Sequence, residues 1–102
     1  MPAAVSVPKP HRLRDPKAIQ AARKDYCELC HRPAYGEPHH LWSRGCGGPD
    51  HRFNLIQLCQ QHHRDAQDAL IPREFLINIV SRREGVDVET VIQKINQLRG
   101  RG

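Results

Sequence analysis

The chain has 102 residues, 38% hydrophobic and only 5% aromatic, so it forms one small domain whose apolar core needs help from a metal or a partner. Sixteen Lys and Arg against eleven Asp and Glu give a net charge of +5 and a pI near 9.4, pointing to nucleic acid or another polyanion as partner. No stretch approaches the ~20 apolar residues of a membrane span, and MPAAVSVPKPHR contains no apolar run of signal-peptide length, so a cytoplasmic protein without a membrane partner is expected.

Residues 1–14 carry Pro2, Pro8 and Pro10 with the cations Lys9, Arg12 and Arg14, and read as a flexible basic N-terminal arm. Asp15 is a good N-cap, Pro16 suits the first helical position, and KAIQAARK continues a helix with Ile19, Ala22 and Tyr26 as its inner stripe. Cys27-Glu28-Leu29-Cys30 follows with the spacing of a zinc knuckle. After a turn through His31–Pro38, His39–Trp42 reads as a short extended piece, and the glycine-rich stretch Ser43–Arg52 as a loop. Phe53–Leu58 is strand-like, with Ile56 and Leu58 on one face, and Cys59–Asp68 reads as a short helix. Residues 15–70 would form the functional domain, and residues 71–102 a helical hairpin with a frayed tail. In the hairpin, Pro72 opens a helix to Glu84 with Phe75, Leu76, Ile79 and Val80 inward. Gly85 stops it, and Asp87 caps a last helix whose Val88, Val91, Ile92, Ile95 and Leu98 recur at helical spacing. Two readings compete for this pair of helices, a helix-turn-helix DNA reader and a hairpin that caps the core or pairs with a second subunit. Glu84, Asp87 and Glu89 around the turn disfavour the first, because they would face DNA phosphates.

The segment from Cys27 to His63 holds all four cysteines, six of the seven histidines and the single tryptophan. Zn²⁺ in a structural site takes four N or S ligands in a tetrahedron, and two knuckles supply them. Cys27, Cys30, Cys59 and His62 fit that pattern, with Cys46 as the competitor for the fourth position. Spacing favours His62, since Cys59-x2-His62 repeats Cys27-x2-Cys30 whereas Cys46 has no paired ligand. His39, His40 and His63 are left over. Neighbours on a strand point to opposite faces, so one of His39 and His40 is free to join His63 on a second metal while the other stays unliganded. A free imidazole beside a divalent ion suits metal-assisted hydrolysis. His11, His31 and His51 read as exposed histidines.

The order His39-His40, then Asn54-Leu55-Ile56-Gln57-Leu58-Cys59-x2-His62-His63, preceded by a C-x2-C knuckle, resembles the HNH endonucleases of zinc-bearing, bacteriophage type over about residues 15–70. The resemblance implies an α+β fold. Its centre would be a small ββα-metal (HNH/His-Me finger) core stapled by a structural zinc, here with an N-terminal helix and a C-terminal helical hairpin. It implies His40 as general base, His39 and His63 as ligands of a catalytic divalent ion such as Mg²⁺ or Mn²⁺, and Asn54 as the residue that braces the hairpin loop and helps orient the base. The chain departs from the family pattern at Gln67, where many relatives carry a further histidine, and at His62, where cysteine is commoner. DNA phosphodiesters cleaved with low sequence specificity would be the substrate. A terminase or another phage packaging protein would be a further partner. Arg44, Arg52 and Arg64 lie in or next to the site in sequence and are the candidate phosphate contacts. The competing reading is a non-catalytic zinc module that binds nucleic acid or a phage protein, which has no need of His40 or Asn54.

Overall fold

A computed structural model describes residues 15–99; the basic arm at 1–14 and the last three residues lie outside the described residues. The fold is a small mixed domain of helices around a two-stranded sheet, with helix α1 Pro16–Ala22, strands β1 His39–His40 and β2 Leu55–Ile56, and helices α2 Gln60–Gln67, α3 Arg73–Glu84 and α4 Val88–Leu98. Among the described residues no helix is long and apolar enough to cross a membrane.

The Asp15 carboxylate accepts from the Lys17 and Ala18 N–H groups and starts α1 as its sequence suggests. The helix ends at Ala22 and not at Lys24, because the Lys24 N–H turns away to donate to Gln57 Oε1 at 3.1 Å. Ile19 and Ala22 pack on Leu55 under the sheet, while Tyr26 is 41% exposed and lies outside that stripe.

Both strands are shorter than their hydrophobic patterns suggest. β1 and β2 pair antiparallel, His39 opposite Ile56 and His40 opposite Leu55. Past His40 the strand stops, since the backbone of Trp42 bonds to the Asn54 side chain and not to a neighbouring strand. Phe53 belongs to a 3₁₀ turn, Arg52–Asn54, capped by His51 Nδ1 accepting the Phe53 N–H at 3.0 Å. At the other end Gln57 leaves the sheet to exchange hydrogen bonds with Glu28, which ties β2 to the knuckle. Ile56 and Leu58 are buried as expected, and so are Leu55 and Gln57, so this segment is covered on both sides.

The loop between the strands is held at close quarters. A side chain at Gly48 would place its Cβ 1.7 Å from the Trp42 carbonyl oxygen, so only glycine fits. Its N–H donates to Ser43 O at 2.8 Å.

The C-terminal helices cap the core. Leu76, Ile77 and Val80 of α3 and Val91 and Ile95 of α4 share one buried cluster with Cys27, Leu41, Ile56, Leu58 and Cys59. The inner stripe of α3 is therefore Leu76, Ile77 and Val80 with Ile79 partly covered, whereas Phe75 is 50% exposed. Two arginines set that phase. Arg73 donates to Leu41 O at one end of the stripe, and Arg83 donates to Leu55 O and to both Glu28 oxygens at the other. Asp87 caps α4 through the Thr90 N–H at 2.8 Å, and Gly85 ends α3 in the left-handed region at φ 70°. Arg99, expected in the frayed tail, instead donates to the Cys46 carbonyl.

Candidate functional site

The two knuckles converge. Cys27, Cys30, Cys59 and His62 bring their ligand atoms within 4.8 Å of one another, the sole such group among the described residues. Zn–S bonds of about 2.3 Å and Zn–N bonds of about 2.0 Å in a tetrahedron require S···S edges of about 3.8 Å and S···N edges of about 3.5 Å. The observed distances are 3.9 Å for Cys30 Sγ to Cys59 Sγ, 3.6 Å for Cys27 Sγ to His62 Nδ1 and 3.4 Å for Cys59 Sγ to His62 Nδ1. The cluster can thus hold a structural metal such as zinc without rearrangement. Burial acts to raise the Cys27 thiol, but hydrogen bonds from the Cys30 N–H, His62 and the Cys59 and Leu29 N–H groups outweigh it and bring the pKa down to about 6. A thiolate at neutral pH is the ligand form. Cys46 is exposed and belongs to no such group, so the fourth member of the cluster that can hold a metal is His62, the residue that spacing favours.

The knuckle turn is a local product of its sequence. The Cys27 N–H donates to Arg32 O at 2.7 Å, the His31 N–H to Cys27 O at 2.8 Å, and the Leu29 N–H to Cys27 Sγ at 3.4 Å. His31 adopts φ 65° to close the turn and stacks on Tyr26 at 6.0 Å, facing outward.

The three histidines His39, His40 and His63 gather on another surface. His39 and His40 from β1 and His63 from α2 line one cleft of about 630 Å³, together with Arg44, Gln67 and Arg73. His63 follows His62 on α2, and the turn of about 100° per residue sends the two rings to different places. The His39 and His63 rings meet edge to face with centroids 5.1 Å apart. Burial first, then the nearby His63 and His40, push His39 down to about 4, so it is neutral at physiological pH.

His40 has a partner that sequence reasoning missed. Its Nε2 lies 2.8 Å from Asp50 Oδ1, and Asp50 is only 2% exposed. Arg44 Nε reaches the same oxygen at 3.3 Å, and the Asp15 N–H reaches Oδ2 at 3.0 Å. Burial acts to raise the Asp50 carboxyl, yet the bonds from His40, the Asp15 N–H and Arg44 hold it below the usual carboxylate range. No spacing signal could have marked Asp50, because it reaches His40 only through the path of the intervening loop.

Asn54 governs that path. Fully buried, it accepts the Trp42 N–H at 2.8 Å and donates to Trp42 O and Pro49 O at 3.0 and 2.9 Å. Its amide is spent on the loop backbone and makes no bond to His40. The three candidate arginines separate. Arg44 lines the histidine cleft, Arg52 pairs with Glu84 at 2.8 Å outside it, and Arg64 lines a different groove beside Arg32 and Tyr35. Arg73, unmarked in the sequence, sits at the cleft with its guanidinium 4.4 Å from the Trp42 ring centre. Comparison of the chain with models of protein families, with curated proteins and with solved structures finds no match.

Proposed function

We propose that this protein is a metal-dependent endonuclease of the HNH type, hydrolysing DNA phosphodiester bonds by nicking or by double-strand cleavage, with His40 as general base. The observation that carries the reading is the gathering of His39, His40 and His63 on one cleft, apart from the cysteine-rich cluster next door. A two-stranded hairpin followed by a helix that bears His63 is consistent with the ββα-metal core that the resemblance implies.

In this reading Cys27, Cys30, Cys59 and His62 hold zinc for the fold, while His39 and His63 would hold a divalent ion such as Mg²⁺ or Mn²⁺. The donor set fits, because His39 is already in its neutral, ligating form and two imidazoles leave coordination positions for water and a phosphate oxygen. Gln67 lines the same cleft and can present an amide oxygen there. When bound, such an ion supplies electrostatic stabilisation of the charge that gathers on the scissile phosphate and the leaving oxygen. His40 removes the proton from the attacking water. Arg44 and Arg73 at the cleft offset phosphate charge, and the basic balance of the chain favours DNA at large. Asn54 acts through the loop it braces. The setting suggested by the resemblance is bacteriophage DNA processing or packaging beside a terminase, in the host cytoplasm.

A supercoiled plasmid incubated with zinc-loaded protein, with and without added Mg²⁺ or Mn²⁺, tests the reading. Relaxed or linear product that depends on the added ion and is lost in His40→Ala is the expected outcome. A wild-type protein that leaves the plasmid intact across several divalent ions sinks it in favour of a binding module. His40→Ala cleaving as well as wild type removes the role given to His40.

A further inference from the structure

Asp50 is a carboxylate held at both oxygens. Oδ2 accepts the Asp15 N–H, Oδ1 accepts from Arg44 Nε, and the residue is all but sealed from solvent. Its backbone position is fixed one residue upstream, where the buried Pro49 gives its carbonyl to Asn54 Nδ2 at 2.9 Å. A carboxylate so placed cannot turn or donate; it only accepts. Across 2.8 Å from it stands His40 Nε2.

We infer that Asp50 is the positioning residue of His40, holding the proton on Nε2 so that Nδ1 carries the lone pair that takes a proton from water. The inference rests on the nuclease reading and adds to it which nitrogen is the base and what orients the ring. An ionised acceptor at Nε2 favours the Nε2–H tautomer and stabilises the imidazolium that forms once Nδ1 is protonated. It also explains how Asn54 reaches the base without touching it. Asn54 holds Pro49 and the Trp42 backbone, the loop between them places Asp50, and Asp50 orients His40. The same carboxylate joins the start of α1 to the loop, since the Asp15 N–H is one of its donors.

Asp50→Asn is the discriminating variant. The Asp15 N–H still needs an acceptor, so the new amide turns its oxygen there and its NH₂ towards His40 Nε2, which must then accept. The proton moves to Nδ1, the nitrogen that should be free. Two measurements test this. Long-range ¹H–¹⁵N spectra of zinc-loaded protein, with no other divalent ion and at a pH where His40 is neutral, should show His40 as the Nε2–H tautomer in wild type and Nδ1–H in Asp50→Asn. Plasmid cleavage by Asp50→Asn should fall at least about a hundredfold while DNA affinity stays within about twofold. A merely structural Asp50 would lower stability and leave the tautomer unchanged. Wild-type His40 found as the Nδ1–H tautomer overturns the inference, even if Asp50→Asn fails to fold. Asp50→Asn that cleaves within about threefold of wild type, while His40→Ala is inactive, overturns the role of Asp50 and leaves the nuclease reading intact. A wild-type protein that cleaves nothing overturns both.

Discussion

Truncating Asn54 should damage the fold more than its small size suggests. The side chain is wholly buried and makes three hydrogen bonds to loop backbone, with the Trp42 N–H, Trp42 O and Pro49 O. At a net contribution of about 1 kcal/mol each, the three bonds account for about 3 kcal/mol. Alanine would also leave a small cavity and the Trp42 N–H without its acceptor, adding about 1–2 kcal/mol. The expected loss for Asn54→Ala is therefore about 4–5 kcal/mol, a large part of the roughly 5–15 kcal/mol that stabilises a domain. With a urea slope of about 1–2 kcal/mol/M, the midpoint should fall by roughly 2–5 M. Urea titration of zinc-saturated protein, followed by far-UV circular dichroism and by Trp42 fluorescence, measures the shift. Asn54→Asp is the companion, because it keeps an acceptor for Trp42 but turns the donor into an oxygen facing two carbonyls. It should be at least as unstable as Asn54→Ala. An Asn54→Ala loss below about 1 kcal/mol, or Asn54→Asp with wild-type stability, would refute the bracing role.

Three other outcomes follow from the same geometry. Cys59→Ser should lose zinc and unfold, because metal binding at such a cluster is folding free energy; a folded variant with stoichiometric zinc would break the four-ligand assignment. Arg83→Met removes a guanidinium that serves both Glu28 oxygens, Glu84, Leu55 O and Arg52 O, and leaves the Glu28 carboxylate, its side chain 6% exposed, with the Gln57 N–H on one oxygen and Lys24 at 3.8 Å. The cost should be about 3–5 kcal/mol, partly recovered in the double variant with Glu28→Gln, and a double variant no better than the single would count against a buried-pair origin. The last outcome concerns pH. His39 sits at about 4 in the folded chain against an ordinary 6.5, so between those values the unfolded chain binds the extra proton. Stability from this group is complete above about pH 6.5 and is lost as the pH falls towards 4. Zinc-loaded His39→Gln, without added divalent ions, should have a flatter stability profile across that window, and an unchanged slope would show that His39 titrates normally.

The features legible in the sequence were those with a local cause. Asp15-Pro16 announced the start of α1, and Asp87 the start of α4, because caps act within one turn. The hairpin of α3 and α4 packs on the core through apolar residues that recur at helical spacing. Element lengths were overread wherever a side chain from far along the chain took a backbone group. Gln57 ends α1 by holding the Lys24 N–H, and Asn54 ends β1 by holding Trp42. The phase of α3 was misjudged by one position, putting Phe75 inside in place of Ile77, since hydrophobicity alone does not reveal that Arg73 and Arg83 also face the core side.

By itself the sequence picked out Cys27, Cys30, Cys59 and His62, the group able to hold a metal, and the separation of His63 from His62. Ligands three residues apart in a turn, and neighbours about 100° apart on a helix, are set by backbone geometry that acts over a few residues. Only the tertiary structure decided which charges meet the histidine cleft. It left Arg44 there, put Arg52 on Glu84 and Arg64 in another groove, and brought Arg73 in. It also gave His40 its carboxylate, since a bond between residues ten apart exists only once Asn54 and Gly48 have shaped the loop that carries Asp50 back.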